Sequence, residues 1–337
     1  MHEKQVEFVG GSVFGIGSVD RTSSVEMVDF RKTDRLFFLY SAQRTTRNAV
    51  KTIAALGDSL TTGFYVSALL PTAIRIRRRL DSNWFLDESG DIHSVQERCA
   101  KAGNFRCINF ARASAHVFHD ERTSLLDRLL GVHHFESQVD RWLALDEVPD
   151  VTLIWLGHND LDWVAHPYAE ISKNLASVKS ILTERFEAAY QAQLSRMLQA
   201  GANMITGKVI IACGLVDFEY FFKARREAER LRELDPNRYP YLERDYDFFA
   251  SMKPEFRNGM IELSLAYNEK IRNCVEILSQ QPSNTTLVYS SALHDVDISN
   301  VNSLSEHDAW HPSRAGHRTF AAGAFLAIAP YLENESV

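Results

Sequence analysis

Two short segments combine side chains of the kinds that catalyse acyl transfer. Ser59 follows an aspartate in the segment GDSLTTG, and His311 comes three residues after Asp308 in the segment DAWHPSRAGH. A serine hydroxyl becomes an effective nucleophile when a histidine takes its proton, and the histidine needs a carboxylate that fixes its tautomer. These residue types fit nucleophilic attack on a carbonyl carbon, although GDSL on its own also fits a helix N-cap formed by Asp58 or Ser59.

Two further segments carry groups that could donate hydrogen bonds to a negative oxygen. In LIWLGHNDLDW an apolar run ends at Gly157, and the side-chain amide of Asn159 follows. A fixed amide of this kind is a suitable oxyanion donor. In INFARASAH, Asn109 could brace neighbouring loops, and the small Ala111 would let its backbone N–H approach a ligand closely. Each segment, taken alone, also fits a turn that closes a strand.

Short apolar runs precede these segments, as is typical of strands that are buried on both faces of a parallel sheet. Helical patterns lie between the runs, which indicates βαβ units and a doubly wound α/β fold. The predicted strands are Ala49–Leu56, Phe105–Phe110, Val151–Leu156, Val209–Leu215 and Thr286–Ser290. The predicted helices are Leu60–Leu80, Tyr168–Gln199 and Arg257–Leu278. Ser59 would then lie at the carboxyl edge of the sheet, where open α/β sheets bind ligands.

Taken in order, the four segments resemble the motif blocks of the SGNH, or GDSL-type, hydrolase family. The blocks are GDS, Asn-x-(Gly/Ala), Gly-x-Asn-Asp and Asp-x-x-His, and the resemblance covers about residues 50–332. Four ordered blocks are far more specific than any one of them. The resemblance implies a flavodoxin-like three-layer α/β/α sandwich with a central parallel sheet, in agreement with the alternation of strands and helices.

The resemblance also implies a role for each motif residue. The catalytic triad would consist of the nucleophile, the base and the residue that orients the base: Ser59, His311 and Asp308. The oxyanion hole would take two backbone N–H groups and one side chain, from Ser59, Ala111 and Asn159. Three neighbours would support the site: Asp58, Gly157 and Asn109. The sequence departs from the family at Ala111, where the family has glycine, and alanine is tolerated there if its φ is negative.

The expected activity is that of a serine esterase that forms an acyl-enzyme on Ser59, with no cofactor and no metal. Two alternatives stay open. An acyltransferase would pass the same acyl group to an acceptor alcohol, and an inactive binding module would keep the fold without the chemistry. The intact triad and Asn159 argue against the binding module.

Other motifs give weaker hypotheses. The segment GANMITGKV at 201–209 resembles a P-loop, but its glycines are one residue too far apart and no Ser or Thr follows Lys208. A metallophosphoesterase site could be imagined from Asp58, Asp160, His307, Asp308 and His311. We disfavour it because the first strand carries no Asp-x-His and two-metal sites need several convergent ligands.

The composition is that of a globular protein, with 45% hydrophobic and 24% charged residues among 337. This excludes a disordered or fibrous chain. The net charge of -7 gives no electrostatic reason to expect nucleic acid or an anionic membrane as a partner. No run of about 18 apolar residues predicts a membrane span. The partner that the resemblance implies is a small-molecule or lipid ester.

The N-terminal segment MHEKQVEFVGG contains acidic groups and no apolar run of the kind that signal peptides carry. We expect a cytoplasmic protein if this is the full native chain, and an exported protein if it is a trimmed mature form. Four cysteines do not make a disulfide framework. Without an export signal, free thiols are favoured over a disulfide between Cys99 and Cys107.

Three regions of the chain differ in residue composition. Residues 1–48 alternate β-like runs with Gly- and Ser-rich turns and have too few apolar residues for a core, which predicts a β-rich extension. Residues 49–332 form the predicted hydrolase domain. Within it, the charged and aromatic stretch 218–256 predicts a helical insertion, broken near Pro236 and Pro240. Its aromatics either form a lid or acyl-chain wall, or pack an extra helical pair on the core; their helical spacing favours packing.

Overall fold

The fold was obtained as a computed structural model that describes residues 50–63, 83–87, 90–113, 115–118, 134–164, 175–202, 207–239 and 254–332. All of these residues belong to one unit of the chain, Asn48–Val337. The predicted extension, residues 1–48, lies outside the described residues and stays a prediction.

The described chain contains a parallel sheet of five strands. The strands are β1 (Lys51–Gly57), β2 (Phe105–Asn109), β3 (Val151–Trp155), β4 (Lys208–Cys213) and β5 (Thr285–Ser290). Their order across the sheet is β2-β1-β3-β4-β5, and every neighbouring pair is parallel. In this flavodoxin-like order, ligands bind beyond the carboxyl ends of the strands, where the strand order reverses. Here the reversal falls between β1 and β3.

All five predicted strands are confirmed, and their bounds agree within two residues. The residues of β3 are buried throughout, and so are those of β1 from Ile53 to Gly57. Helices cover both faces of such strands, so neither face can be polar. This is why the strands appear in the sequence as continuous apolar runs.

The described helices surround this sheet. They are α1 (Ser59–Thr62), α2 (Val95–Ala102), α3 (Phe135–Leu143), α4 (Leu175–Ala202), α5 (Phe218–Leu234), α6 (Pro254–Ser279) and α7 (Arg314–Ile328). Helix α2 contacts α7, while α4 contacts both α3 and α6. Because crossovers between parallel strands are right-handed, the reversal between β1 and β3 places these two groups on opposite faces of the sheet. The predicted three-layer α/β/α sandwich is therefore confirmed.

The helix predictions have different outcomes. Helix α6 confirms the prediction for Arg257–Leu278, and α4 confirms the described part of Tyr168–Gln199. The pattern Leu60–Leu80 does not continue as one helix, because Gly63 ends α1 with a left-handed φ of 75° and an N–H bond to the Ser59 carbonyl. The remainder of that pattern, residues 64–80, lies outside the described residues.

The predicted insertion begins with a helix. Asp217 caps α5 by accepting a hydrogen bond from the Glu219 N–H, and α5 ends at Leu234, two residues before Pro236. Phe218, at the start of α5, is buried, as are two further phenylalanines of the helix. Residues 240–253 lie outside the described residues, so the extent of the insertion stays a prediction.

The four cysteines of the chain are free thiols, and Cys99 lies on α2 while Cys107 lies on β2. Burial raises the pKa of Cys99 to about 12, so this thiol stays protonated at neutral pH. Among the described helices, none is at once long and apolar enough to cross a membrane.

Candidate active site

Ser59 lies at the carboxyl end of β1, as the first residue of α1. The preceding Asp58 caps α1, and its carboxylate accepts a hydrogen bond of 3.0 Å from the Leu60 N–H. The Gly57 backbone is held from α3, because the Gln138 side chain accepts from its N–H and donates to its carbonyl, both at 2.8 Å. The turn that carries the serine is therefore fixed on both sides.

Asp308 and His311 form a buried pair in the loop between β5 and α7. His311 Nδ1 lies 2.6 Å from Asp308 Oδ2, and Asp308 Oδ1 accepts from the backbone N–H groups of Trp310 and His311. Both side chains are almost fully buried. Because the carboxylate is an acceptor, Nδ1 carries the proton and Nε2 is left as the basic nitrogen.

One cavity joins these two parts of the site. It is lined by Ser59 and Asn159, and by Trp310 and Pro312, the two neighbours of His311 in sequence. Most of its remaining lining is apolar: Val216, Phe218, Phe221, Ile298, Leu304 and Phe320. Among the hydrogen bonds between described residues, none involves the Ser59 hydroxyl, so this group is available to a ligand in the cavity.

The three predicted oxyanion donors differ in what they contact. Asn159 lines the cavity, and its Nδ2 donates one hydrogen bond of 2.9 Å to the Ala115 carbonyl, which leaves its second N–H. The Ala111 N–H instead donates to Asn109 Oδ1, at 2.9 Å. Ala111 is not among the described residues with positive φ, so alanine is accommodated there without backbone strain. The structure thus brings Ser59 and Asn159 to the cavity and directs the Ala111 N–H to a neighbour.

The supporting residues of the motif blocks connect the ends of the strands. Asn109, at the end of β2, donates a hydrogen bond of 3.0 Å to the Thr61 carbonyl of α1. Gly157 has a φ of 132°, and a side chain there would collide with Phe186 of α4. Glycine is therefore required for the chain to leave β3 in the direction of the site.

His158 has no role predicted from the sequence, and the structure places it against Asp58. Its Nδ1 lies 2.8 Å from Asp58 Oδ2, and its Nε2 accepts a hydrogen bond of 3.3 Å from the Val216 N–H. Both side chains of the pair are buried. The pair thus joins the loops that follow β1, β3 and β4. A histidine at a strand end, next to a candidate oxyanion donor, was the available signal for it.

Asp160 also has a structural partner. Its carboxylate accepts hydrogen bonds from the backbone N–H groups of Val117 and Phe118, in the loop that follows β2. In the described ranges, no three His, Cys, Asp or Glu side chains are arranged to hold a metal ion. The carboxylates of Asp58 and Asp160 instead bind neighbouring protein groups.

Comparisons with solved structures give distant likenesses. A lipase from a goat rumen metagenome is 16% identical with a TM-score of 0.47, over 84% of this chain and 100% of that one. The phospholipase A1 of Streptomyces albidoflavus is 13% identical with a TM-score of 0.44, over 85% and 100%. A family two carbohydrate esterase from Clostridium thermocellum is 13% identical with a TM-score of 0.44, over 86% and 67%. At these values the likenesses assign no function.

No curated protein matches the chain. The model of the family described as GDSL-like lipase/acylhydrolase matches residues 53–324, which is well over half of the chain. The match includes Ser59, Asn159 and the Asp308–His311 pair. The chain therefore belongs to the GDSL-like lipase/acylhydrolase family, a family of ester hydrolases, as its motif blocks indicated.

Proposed function

We propose that this protein is a serine esterase that hydrolyses carboxylic esters through an acyl-enzyme on Ser59. One observation carries the proposal. A single cavity is lined both by Ser59 and by the two residues that flank His311, whose imidazole is paired with the buried carboxylate of Asp308. This arrangement offers a nucleophile, a base and an orienting acid around one space that admits a ligand.

The proposed reaction has two steps. Ser59 Oγ attacks the ester carbonyl carbon while His311 Nε2 takes the hydroxyl proton, and the resulting imidazolium is stabilised by Asp308. The alcohol then leaves with the proton from His311, and the acyl group stays on Ser59. In the second step His311 takes a proton from water, the hydroxide attacks the acyl-enzyme, and the carboxylic acid leaves as Ser59 recovers its proton.

Two donors at the cavity are suited to the oxyanion of the tetrahedral intermediates. They are the backbone N–H of Ser59 and the second side-chain N–H of Asn159. Hydrogen bonds to a developing negative charge are strong in a site that excludes water. The Ala111 N–H would act as a third donor only by exchanging its bond with Asn109 Oδ1 for one with the substrate.

The apolar lining supports an ester with an apolar acyl group as the substrate. Phe218 and Phe221 of α5 contribute to the cavity wall, and Trp310 packs against Phe221 with ring centroids 4.7 Å apart at an angle of 78°. The aromatics of α5 therefore pack on the core and at the same time face the cavity. Ser59 and Asn159, which line the same cavity, would bind the ester carbonyl.

The test is hydrolysis of a series of p-nitrophenyl esters graded by acyl length, with wild type and Ser59→Ala. We expect hydrolysis by wild type, fastest for acyl groups longer than acetyl, and a loss of about 10⁴-fold or more in Ser59→Ala. Equal hydrolysis by the two proteins would contradict the proposal. Adding an acceptor alcohol separates the two fates of the acyl group, because a transferase would yield mainly the new ester.

A further inference from the structure

Helix α5 holds the turn that carries the candidate base through a single buried side chain. Arg225 is 2% exposed, and its Nη1 donates hydrogen bonds to the backbone carbonyls of Asp308, at 3.0 Å, and of Ala309, at 3.2 Å. One guanidinium nitrogen thus bridges two successive carbonyls of the Asp308–His311 turn. The Asp308 carboxylate is occupied by His311 and by the backbone N–H groups of Trp310 and His311.

The turn needs such a restraint because its backbone is strained. Ala309 has a φ of 49°, in the left-handed region that residues other than glycine rarely adopt. A conformation of this kind persists only where the surroundings over-determine it. Two further bonds close the turn, from the Ala309 N–H to the Ser305 carbonyl and from the Ser305 N–H to the His311 carbonyl. Arg225 of α5 adds two side-chain hydrogen bonds to these backbone bonds.

Burying this cation has a cost that an apolar side chain would avoid. Burial lowers the pKa of Arg225, while Glu229 and Asp308 oppose the shift. Glu229 accepts from Arg225 Nε at 3.4 Å and also from Arg257 Nη2 of α6. Within the described chain, Arg225 Nη2 is buried without a hydrogen-bond partner. An apolar side chain at this position would avoid the cost of burying a cation and an unpaired N–H group. The presence of arginine instead favours a role for it in the site.

We propose that Arg225 is a positioning residue for the catalytic pair, and this inference rests on the proposed function. Its bonds to the two carbonyls fix the turn and with it the direction of the His311 imidazole. The same helix would then build the wall of the acyl pocket and set the geometry of the base. The predicted insertion would be part of the catalytic apparatus from its first helix onward.

The test compares three variants on the same ester. Arg225→Met removes the charge and both hydrogen bonds, and Arg225→Lys keeps the charge but replaces the planar guanidinium by a compact ammonium. The control is Arg230→Met, which removes an exposed cation of α5 that pairs with Glu227. We expect kcat to fall about 10- to 100-fold in Arg225→Met with KM nearly unchanged, because a displaced base slows chemistry without altering the pocket. Arg225→Lys should lose less, and Arg230→Met should match wild type.

The separate values of kcat and KM distinguish positioning from general support of the fold. A variant that is only less stable keeps the kcat of wild type for each folded molecule, whereas a displaced base lowers kcat in the folded protein.

Two results would overturn the inference. One is a folded Arg225→Met with the kcat of wild type. The other, if Arg225→Met does not fold, is a folded Arg225→Gln with full kcat, because the shorter neutral amide replaces neither the charge nor the bridge between the two carbonyls. Failure of the proposed function would look different, since Ser59→Ala would then hydrolyse the ester as fast as wild type does.

Discussion

At the residue scale, the polar side chains at the strand ends differ in whether the protein already satisfies their hydrogen bonds. Ser59, His158 and Asn159 line the cavity, but His158 is bound to Asp58, and Asp160 binds two backbone N–H groups. A residue with all its hydrogen bonds satisfied by the protein has little capacity left for a substrate. The groups left available to a substrate are therefore a small part of this polar set, and the remainder maintains the shape of the site.

The His158–Asp58 pair gives a prediction about stability. His158→Leu leaves the fully buried Asp58 carboxylate without its side-chain partner, so the free energy of unfolding should fall by roughly 2–4 kcal/mol. Chemical denaturation measures this loss in the free energy of unfolding. The matched control is His93→Leu, because His93 forms an exposed pair with Glu97 and its side chain is 53% exposed. Exposed pairs contribute little, so an equal loss in the two variants would contradict this role for His158.

At the element scale, the five strands could be predicted from the sequence because continuous apolar runs are a direct consequence of burial on both faces. The short helices could not be found so easily. In α3 the buried residues Phe135, Val139 and Trp142 follow helical spacing, but the helix has nine residues and charges lie between them. In α2 only Val95 and Cys99 are buried, which is too few to define a period.

Prediction from the sequence has a second limit, which is the pairing of side chains that belong to different helices, strands or loops. Asp308 and His311 are three residues apart in sequence, so their contact could be predicted from one turn of chain. Arg225 and Asp308 are 83 residues apart, and His158 and Asp58 are 100 apart. Nothing in a single sequence indicates such contacts, because they depend on the order of the strands. The triad could therefore be proposed from the sequence, and the side chains that hold it could not.

A substitution in helix α5 should change the preference for acyl-chain length. Phe221 lines the cavity and is buried, so Phe221→Ala should enlarge the pocket and move the preference in kcat/KM toward longer acyl chains. The measurement is kcat/KM over a series of esters from acetyl to decanoyl. Phe222→Ala is the matched control, because Phe222 is equally buried on α5 and packs against Phe221 without lining the cavity. The same shift in both variants would show that loosening of α5, rather than pocket size, sets the preference.

At the scale of the whole molecule, a buried histidine ties the stability of the fold to pH. His317 of α7 is fully buried, and its Nδ1 accepts a hydrogen bond of 3.3 Å from the Trp84 N–H. Burial, with a smaller effect of His311, lowers the pKa of His317 from 6.5 to about 3. Between these two values the unfolded chain binds a proton that the folded chain does not. The folded state therefore loses stability as the pH falls below 6.5, down to about pH 3.

Replacing His317 tests this dependence. His317→Asn keeps an acceptor near the position of Nδ1 and removes the titration. Relative to wild type, the variant should lose less stability on acidification, by up to about 1.4 kcal/mol for each pH unit below 6.5. Urea unfolding at a series of pH values from 7.5 to about 4 measures the difference. Parallel curves for the two proteins would contradict the assignment, and His93→Asn serves as the control for an exposed histidine.

The central claim is that Ser59 is an activated nucleophile, and covalent labelling tests it most directly. Wild type, Ser59→Ala and Ser303→Ala are treated with a fluorophosphonate and read by intact mass, since Ser303 is a second serine that lines the same cavity. We expect one adduct on wild type and on Ser303→Ala, and none on Ser59→Ala. An adduct on folded Ser59→Ala, or no adduct on folded wild type, would contradict it.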